Sequence, residues 1–147
     1  MTYFSEHPLM QIGVNYTRGM LCDYMGIKYC KDEIERGIFK PSRYSSVFVF
    51  STKENNWGYL NGKYTDNTYL FSSNNYYPDS KLTQHKIIHN ELILFIRKNE
   101  ESGFFYFGRC NVTEMYKVDG YKYKLYGLEL IDTKFSNIKS FEVPQII

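Results

Sequence analysis

Alanine is missing altogether from these 147 residues. β-branched and aromatic residues take the places that Ala and Leu fill in a helical bundle, so an all-helical protein is excluded. Proline is scarce, with four residues, and Trp occurs once. Long apolar runs are lacking too: the longest, Leu92 to Ile96, is closed by Glu91 and Arg97, far short of the roughly 20 residues a membrane helix requires. No membrane partner is therefore expected. Neither charge dominates, since 18 Lys and Arg against 16 Asp and Glu leave +2, and any nucleic-acid site must be a local patch. The N-terminus, MTYFSEHPLMQ, lacks the basic region and cleavage site of a signal peptide, so a cytoplasmic location is expected. Cys22, Cys30 and Cys110 are odd in number and widely spaced, which fits reduced core cysteines better than a disulfide framework.

What is present is aromatic. Fifteen Tyr, eleven Phe and the single Trp make 18% of the chain, too apolar a composition for a disordered protein. The length suits one domain over 1–147. Between residues 15 and 36, Tyr16, Met20, Leu21, Tyr24, Met25, Ile27 and Ile34 recur at near-helical spacing, broken by glycines, and predict one or two short helices. SSVFVFS, residues 45–51, reads as a buried strand. WGYLNGKYTD and TYLFSSNNYYPD read as a hairpin region, with Asn61–Gly62 supplying a tight turn. ELILFIRK, SGFFYFGRCNV and YKYKLYGLELI follow as strands, and FSNIKSFEV is expected to close the sheet. In YKYKLY, Tyr121, Tyr123 and Leu125 share one face and Lys122 and Lys124 the other. Six or seven strands after a helical segment predict a mainly β (α+β) fold: a small, strongly curved barrel with helices outside it.

This order of elements resembles the SRA-like modules, of PUA-like fold, that accompany nuclease or helicase domains in modification-dependent restriction enzymes. The resemblance spans residues 16–112. Tyr16 and Arg18 before a short helix, Gly37–Ile38 and SSVFVFS stand where that family has Tyr-x-Arg, Gly-Ile and an apolar strand. Gly58, Tyr59, Leu60, Asn61 and Gly62, with Tyr64, stand where it has Gly-Tyr-x-Asp-Gly and an aromatic residue. TYLF, SSNNYYPD, LILFIRK and FFYFGRC follow in the places of its later strands and loop. Asn61 replaces the usual acid, and Ser72 to Asn75 replace a Gly-rich loop. The resemblance implies a reader of double-stranded DNA carrying a modified base, a cytosine derivative, recognised by base flipping. It implies a restriction or phage-defence role, with the nuclease or helicase in another domain or subunit.

The residues themselves offer three sets. Trp57, Tyr59, Tyr64, Asp66, Tyr69 and Phe71 are the candidate base pocket, because rings stack on an extruded base while a carboxylate accepts from its amino group. The competing reading is that these rings fill a core and Asp66 is a turn residue. Asn74, Asn75, Tyr76, Tyr77 and Asp79 are a candidate groove loop with flat polar side chains, or else a solvated turn before a helix capped by Asp79 or Ser80. Lys40, Arg43, Lys81 and Arg109 are the candidate phosphate contacts. His85 and His89 share helical spacing but lack a catalytic Glu and a Cys pair near by, so no metal or other cofactor is expected. No nucleophile or nuclease constellation is visible, and the chain reads as a binding module without catalytic residues of its own. The alternatives are an RNA-binding PUA-like reader, a protein-interaction domain of a phage or host defence system, and a small enzyme using Asp66, His85 and Tyr64.

Overall fold

A computed structural model describes residues 3–6, 10–25, 37–41, 44–55, 59–73, 91–121 and 123–138. Among them the fold is mainly β, as the composition requires: one sheet of eight strands and one α-helix. The strands are β1 (Asn15–Tyr16), β2 (Ile38–Phe39), β3 (Ser46–Thr52), β4 (Gly62–Thr65), β5 (Thr68–Ser73), β6 (Glu91–Arg97), β7 (Phe104–Tyr116) and β8 (Lys124–Leu130). They run in the order β2-β3-β6-β7-β8-β5-β4, with β1 paired to β7. All ladders are antiparallel except β3 with β6. That parallel pair joins two near-continuous apolar runs, the sequence signature of strands covered on both faces. β3 is buried along its whole length. The helix α1 (Arg18–Met25) falls inside the expected helical segment. Thr17 caps it, its hydroxyl accepting from the Met20 N–H at 3.2 Å and its carbonyl from the Leu21 N–H at 3.0 Å,.

Side-chain alternation divides the sheet into two apolar layers. The inner face carries Val47, Val49, Leu92, Leu94, Ile96, Phe107, Cys110, Tyr126, Leu128, Leu130, Tyr69 and Phe71, closed by Phe135 and Ile138. The outer face of β3, β6 and the first half of β7 carries Phe48, Phe50, Ile93, Phe95, Phe104 and Tyr106. Phe4, Met10, Tyr16 and Leu21 of the N-terminal region cover it. Phe50 and Phe95 stack at 4.9 Å between ring centres, and Phe104 meets Phe50 edge-on at 5.5 Å. Each such buried ring contributes about 1.5–3 kcal/mol of transfer free energy. The N-terminal cover is fastened by Glu91, which accepts from the Ser5 N–H at 2.9 Å, the Ser46 hydroxyl at 3.0 Å and the Ser5 hydroxyl.

The hydrogen-bonded order is open at β2 and β4, so among the described residues the ladder does not close into the expected barrel. The sheet nevertheless curls until its halves touch. Four strand spacings separate β3 from β5 in the ladder, which in a flat sheet is about 19 Å. Yet the Ser51 hydroxyl on β3 lies 2.6 Å from the Tyr69 hydroxyl on β5, both buried. Asn61 adds a second tie. Its side-chain amide donates to the Thr52 carbonyl at 3.0 Å and accepts from the Ser72 N–H at 2.8 Å.

Three sequence expectations are corrected. The β4–β5 hairpin turns at Asp66–Asn67, not at Asn61–Gly62, because Asn61 is buried as a bridge between strands. Residues Phe135–Asn137 form a 3-10 turn rather than the start of a closing strand, since Asp66 captures their N–H groups. Cys22 is disulfide-bonded where a reduced thiol was expected. Its partner lies outside the described residues, because Cys110 is free and buried. Disulfides are commoner outside the cytoplasm than within it. No helix among the described residues is long and apolar enough to cross a membrane.

Candidate functional site

The hairpin residues singled out in the sequence separate into two environments. Tyr69 and Phe71 point into the inner layer, 0% and 4% exposed. Burial pushes the Tyr69 phenol well above its ordinary pKa, against the opposing effect of its bond to Ser51. Asp66 is exposed at the hairpin tip, but its carboxylate is engaged. It accepts from the Ser136 N–H at 2.9 Å and the Ser136 hydroxyl at 2.7 Å, and its carbonyl accepts from the Phe135 N–H at 2.8 Å. The Ser136 hydroxyl bond is the main cause holding Asp66 below the usual carboxylate range. Asp66 is thus the anchor of the 3-10 turn that seats Phe135 in the core.

Tyr59 and Tyr64 remain partly exposed, and the fold brings them to three tyrosines that the sequence reading did not place in a site. Tyr59 meets Tyr123 edge-on at 4.6 Å, and Tyr123 meets Tyr121 at 5.5 Å. Tyr64 lies 6.0 Å from Tyr116. These two groups border one rung of the sheet. Tyr116 is the cross-strand partner of Leu125 and Leu125 that of Ser72, so their side chains share the outer face. The Tyr121 hydroxyl lies 2.6 Å from the Ser72 hydroxyl and accepts from the Leu60 N–H at 2.8 Å. All five rings are partly exposed. Leu70 and Leu125, on the same outer face, are buried. A hydrogen bond to Glu114 raises the Tyr116 phenol. Lys117 and Lys124 are exposed, and the alternation along β8 turns Lys124 to the face opposite Leu125,. The readable signal was the alternation in YKYKLY, which sent Tyr121 and Tyr123 to the face of Leu125.

The phosphate candidates are dispersed. Lys40 donates to the Tyr44 carbonyl at 3.4 Å, beyond β2 at one edge of the sheet. Arg109, on β7, is paired with Asp132 through Nη2 to Oδ1 at 2.6 Å and Nε to both carboxylate oxygens at 3.1 Å. Burial alone would raise Asp132, but the Arg109 hydrogen bonds and charge prevail and hold it low. Trp57, Arg43, Asn74, Asn75, Tyr76, Tyr77, Asp79, Lys81, His85 and His89 lie outside the described residues.

Comparison with protein-family models, curated proteins and solved structures finds no match to this chain.

Proposed function

We propose that the chain is a nucleic-acid-binding module that reads modified DNA, an SRA/PUA-like reader serving a nuclease or helicase domain or subunit. The observation that carries this reading is the layer of Tyr59, Tyr64, Tyr116, Tyr121 and Tyr123, five partly exposed rings gathered on one face of the sheet. Ring faces stack on bases of any identity, each worth about 1–3 kcal/mol, and an apolar ring contact also senses a 5-methyl group on a pyrimidine. The stacking surface is then the outside of the hairpin and the β7–β8 ribbon rather than the hairpin interior, where Tyr69 and Phe71 are core. The curl that brings β3 to β5 is the curvature that a PUA-like barrel needs.

Fluorescence anisotropy with duplexes that differ by one 5-methylcytosine, and with the matching single strands of DNA and RNA, tests the reading. The parent binds, favours the modified duplex, and loses about tenfold or more in affinity on Tyr64→Ala or Tyr123→Ala. Equal affinity for modified and plain duplexes removes the reader function. Preference for the RNA strand replaces it with RNA binding, and no binding to any probe at low salt removes both.

A further inference from the structure

A second site lies on the outer face of the sheet, where the N-terminal segment crosses β7. A cleft of ≈ 570 Å³ opens there, with Tyr106, Arg109 and Asp132 on one side and Met10, Gln11 and Ile12 on the other. The backbone holds both sides in place: the Gly13 N–H donates to the Tyr106 carbonyl at 2.8 Å and the Tyr106 N–H to the Val14 carbonyl at 3.2 Å. On the β7 side, an extra residue enters the strand between the pairs Phe95↔Tyr106 and Leu94↔Gly108. This bulge re-aims Arg109 toward Asp132. The Arg109 N–H also donates to Asp132 Oδ2 at 2.8 Å.

Tyr106 is the unusual member. It is 4% exposed, it lines the cleft, and its hydroxyl makes no hydrogen bond to any described residue. Tyr69 and Tyr16 are as deeply buried, and each has its hydroxyl bonded, to Ser51 and to the Gln11 N–H. An orphaned buried hydroxyl is costly, and native structures keep one where something else completes it. Burial first, then the carboxylates of Glu91 and Asp132, push this phenol far up, so it stays a neutral donor at all physiological pH.

We propose that this cleft binds an uncharged sugar ring through a pair of neighbouring hydroxyl groups. The guanidinium of Arg109 is already neutralised by Asp132 and Glu91 adds a further negative charge near Tyr106, so the cleft does not attract a phosphate. What it offers is a donor and an acceptor locked side by side. One sugar hydroxyl donates to Asp132, its neighbour accepts from Arg109, and the Tyr106 hydroxyl makes the third bond. The apolar side chains of Met10 and Ile12 face the C–H side of the ring. Both a free hexose and the ribose of a nucleoside carry such a diol.

A titration of the full chain, followed by backbone amide chemical shifts, distinguishes the sources with D-glucose, adenosine, 2′-deoxyadenosine and inorganic phosphate as probes. Glucose, or adenosine but not 2′-deoxyadenosine, moves the amides of Gln11–Val14, Arg109 and Asp132 and saturates. Tyr106→Phe weakens that ligand about tenfold without lowering the melting temperature of the free protein, since the hydroxyl it removes has no partner among the described residues, and Asp132→Asn weakens it too. Three results overturn the proposal: neither diol probe moving those amides at tens of millimolar, phosphate moving them in the diols' stead, or Tyr106→Phe binding like the parent. The last would mean that the hydroxyl meets only water.

Discussion

The hydrogen bond between Ser51 and Tyr69 is the sharpest test of the curl, because without curvature the two strands stand about 19 Å apart. Both hydroxyls are buried, and each is the other's side-chain partner at 2.6 Å. Tyr69→Phe keeps the ring and leaves the Ser51 hydroxyl orphaned; Ser51→Ala leaves the phenol orphaned. Each change costs about 1–3 kcal/mol, the loss of a net bond plus the desolvation of the stranded partner. In the double variant no polar group is stranded, so its cost falls well below the sum and the coupling is about 1 kcal/mol or more. With a urea slope of about 1–3 kcal/mol/M, a loss of ~2 kcal/mol moves the unfolding midpoint by roughly 1 M. Two-state urea curves on the four proteins complete the cycle. The alkaline limb gives an independent reading. The Tyr69 pKa is raised from 10.0 in the fold, so its contribution is whole below about pH 10 and is lost as the pH rises further. Tyr69→Phe flattens that limb. Costs that simply add, within about 0.3–0.5 kcal/mol, would refute the contact and with it the curled sheet.

Gly108 has φ +77, and a Cβ there would stand 2.7 Å from Asp132 Oδ2, whereas Gly120 has φ +78 in open space. Gly108→Ala therefore costs about 2–4 kcal/mol against about 1–2 for Gly120→Ala in urea unfolding, and equal costs would deny the close approach. Asp132, whose pKa is depressed below 3.8, contributes stability that is whole above that value and is lost as the pH falls through its folded pKa,. In thermal melts the gap between the parent and Asp132→Asn is constant from pH 5 to 8 and closes in acid; a gap that persists in strong acid would place the effect elsewhere.

The strands were legible where tertiary context adds little. SVFVFST and ELILFIR are apolar on both faces, and only a strand covered on both sides tolerates that pattern,. The turn was not legible. Asn61–Gly62 has the composition of a tight turn, but Asn61 is recruited to a buried bridge by Thr52 and Ser72, residues nine and eleven positions away in sequence. Nor was the division of the tyrosines legible. Tyr64 and Tyr69 belong to one hairpin, yet one is partly exposed and the other is core. In β7 the bulges beside Phe107 and Thr113 each shift the alternation by one residue. A pattern carried along the strand without them assigns the wrong face twice.

β7 connects the two proposed sites. Its outer face carries Tyr106 and Arg109 at one end and Tyr116 at the other. Seven residues separate Arg109 from Tyr116, about 23 Å of extended strand. At that distance changes at one site leave the other untouched, since sites more than about 7–10 Å apart with no shared partner act independently. The two proposals therefore fail separately. If Tyr64→Ala and Tyr123→Ala leave nucleic-acid binding unaltered, the orphaned hydroxyl of Tyr106 still asks for a ligand. If Tyr106→Phe changes nothing, the five partly exposed rings of the tyrosine layer still stand as a stacking surface. A single ligand spanning both would show instead as coupling between Tyr106 and Tyr116, which no local perturbation of the sheet would mimic without also lowering stability.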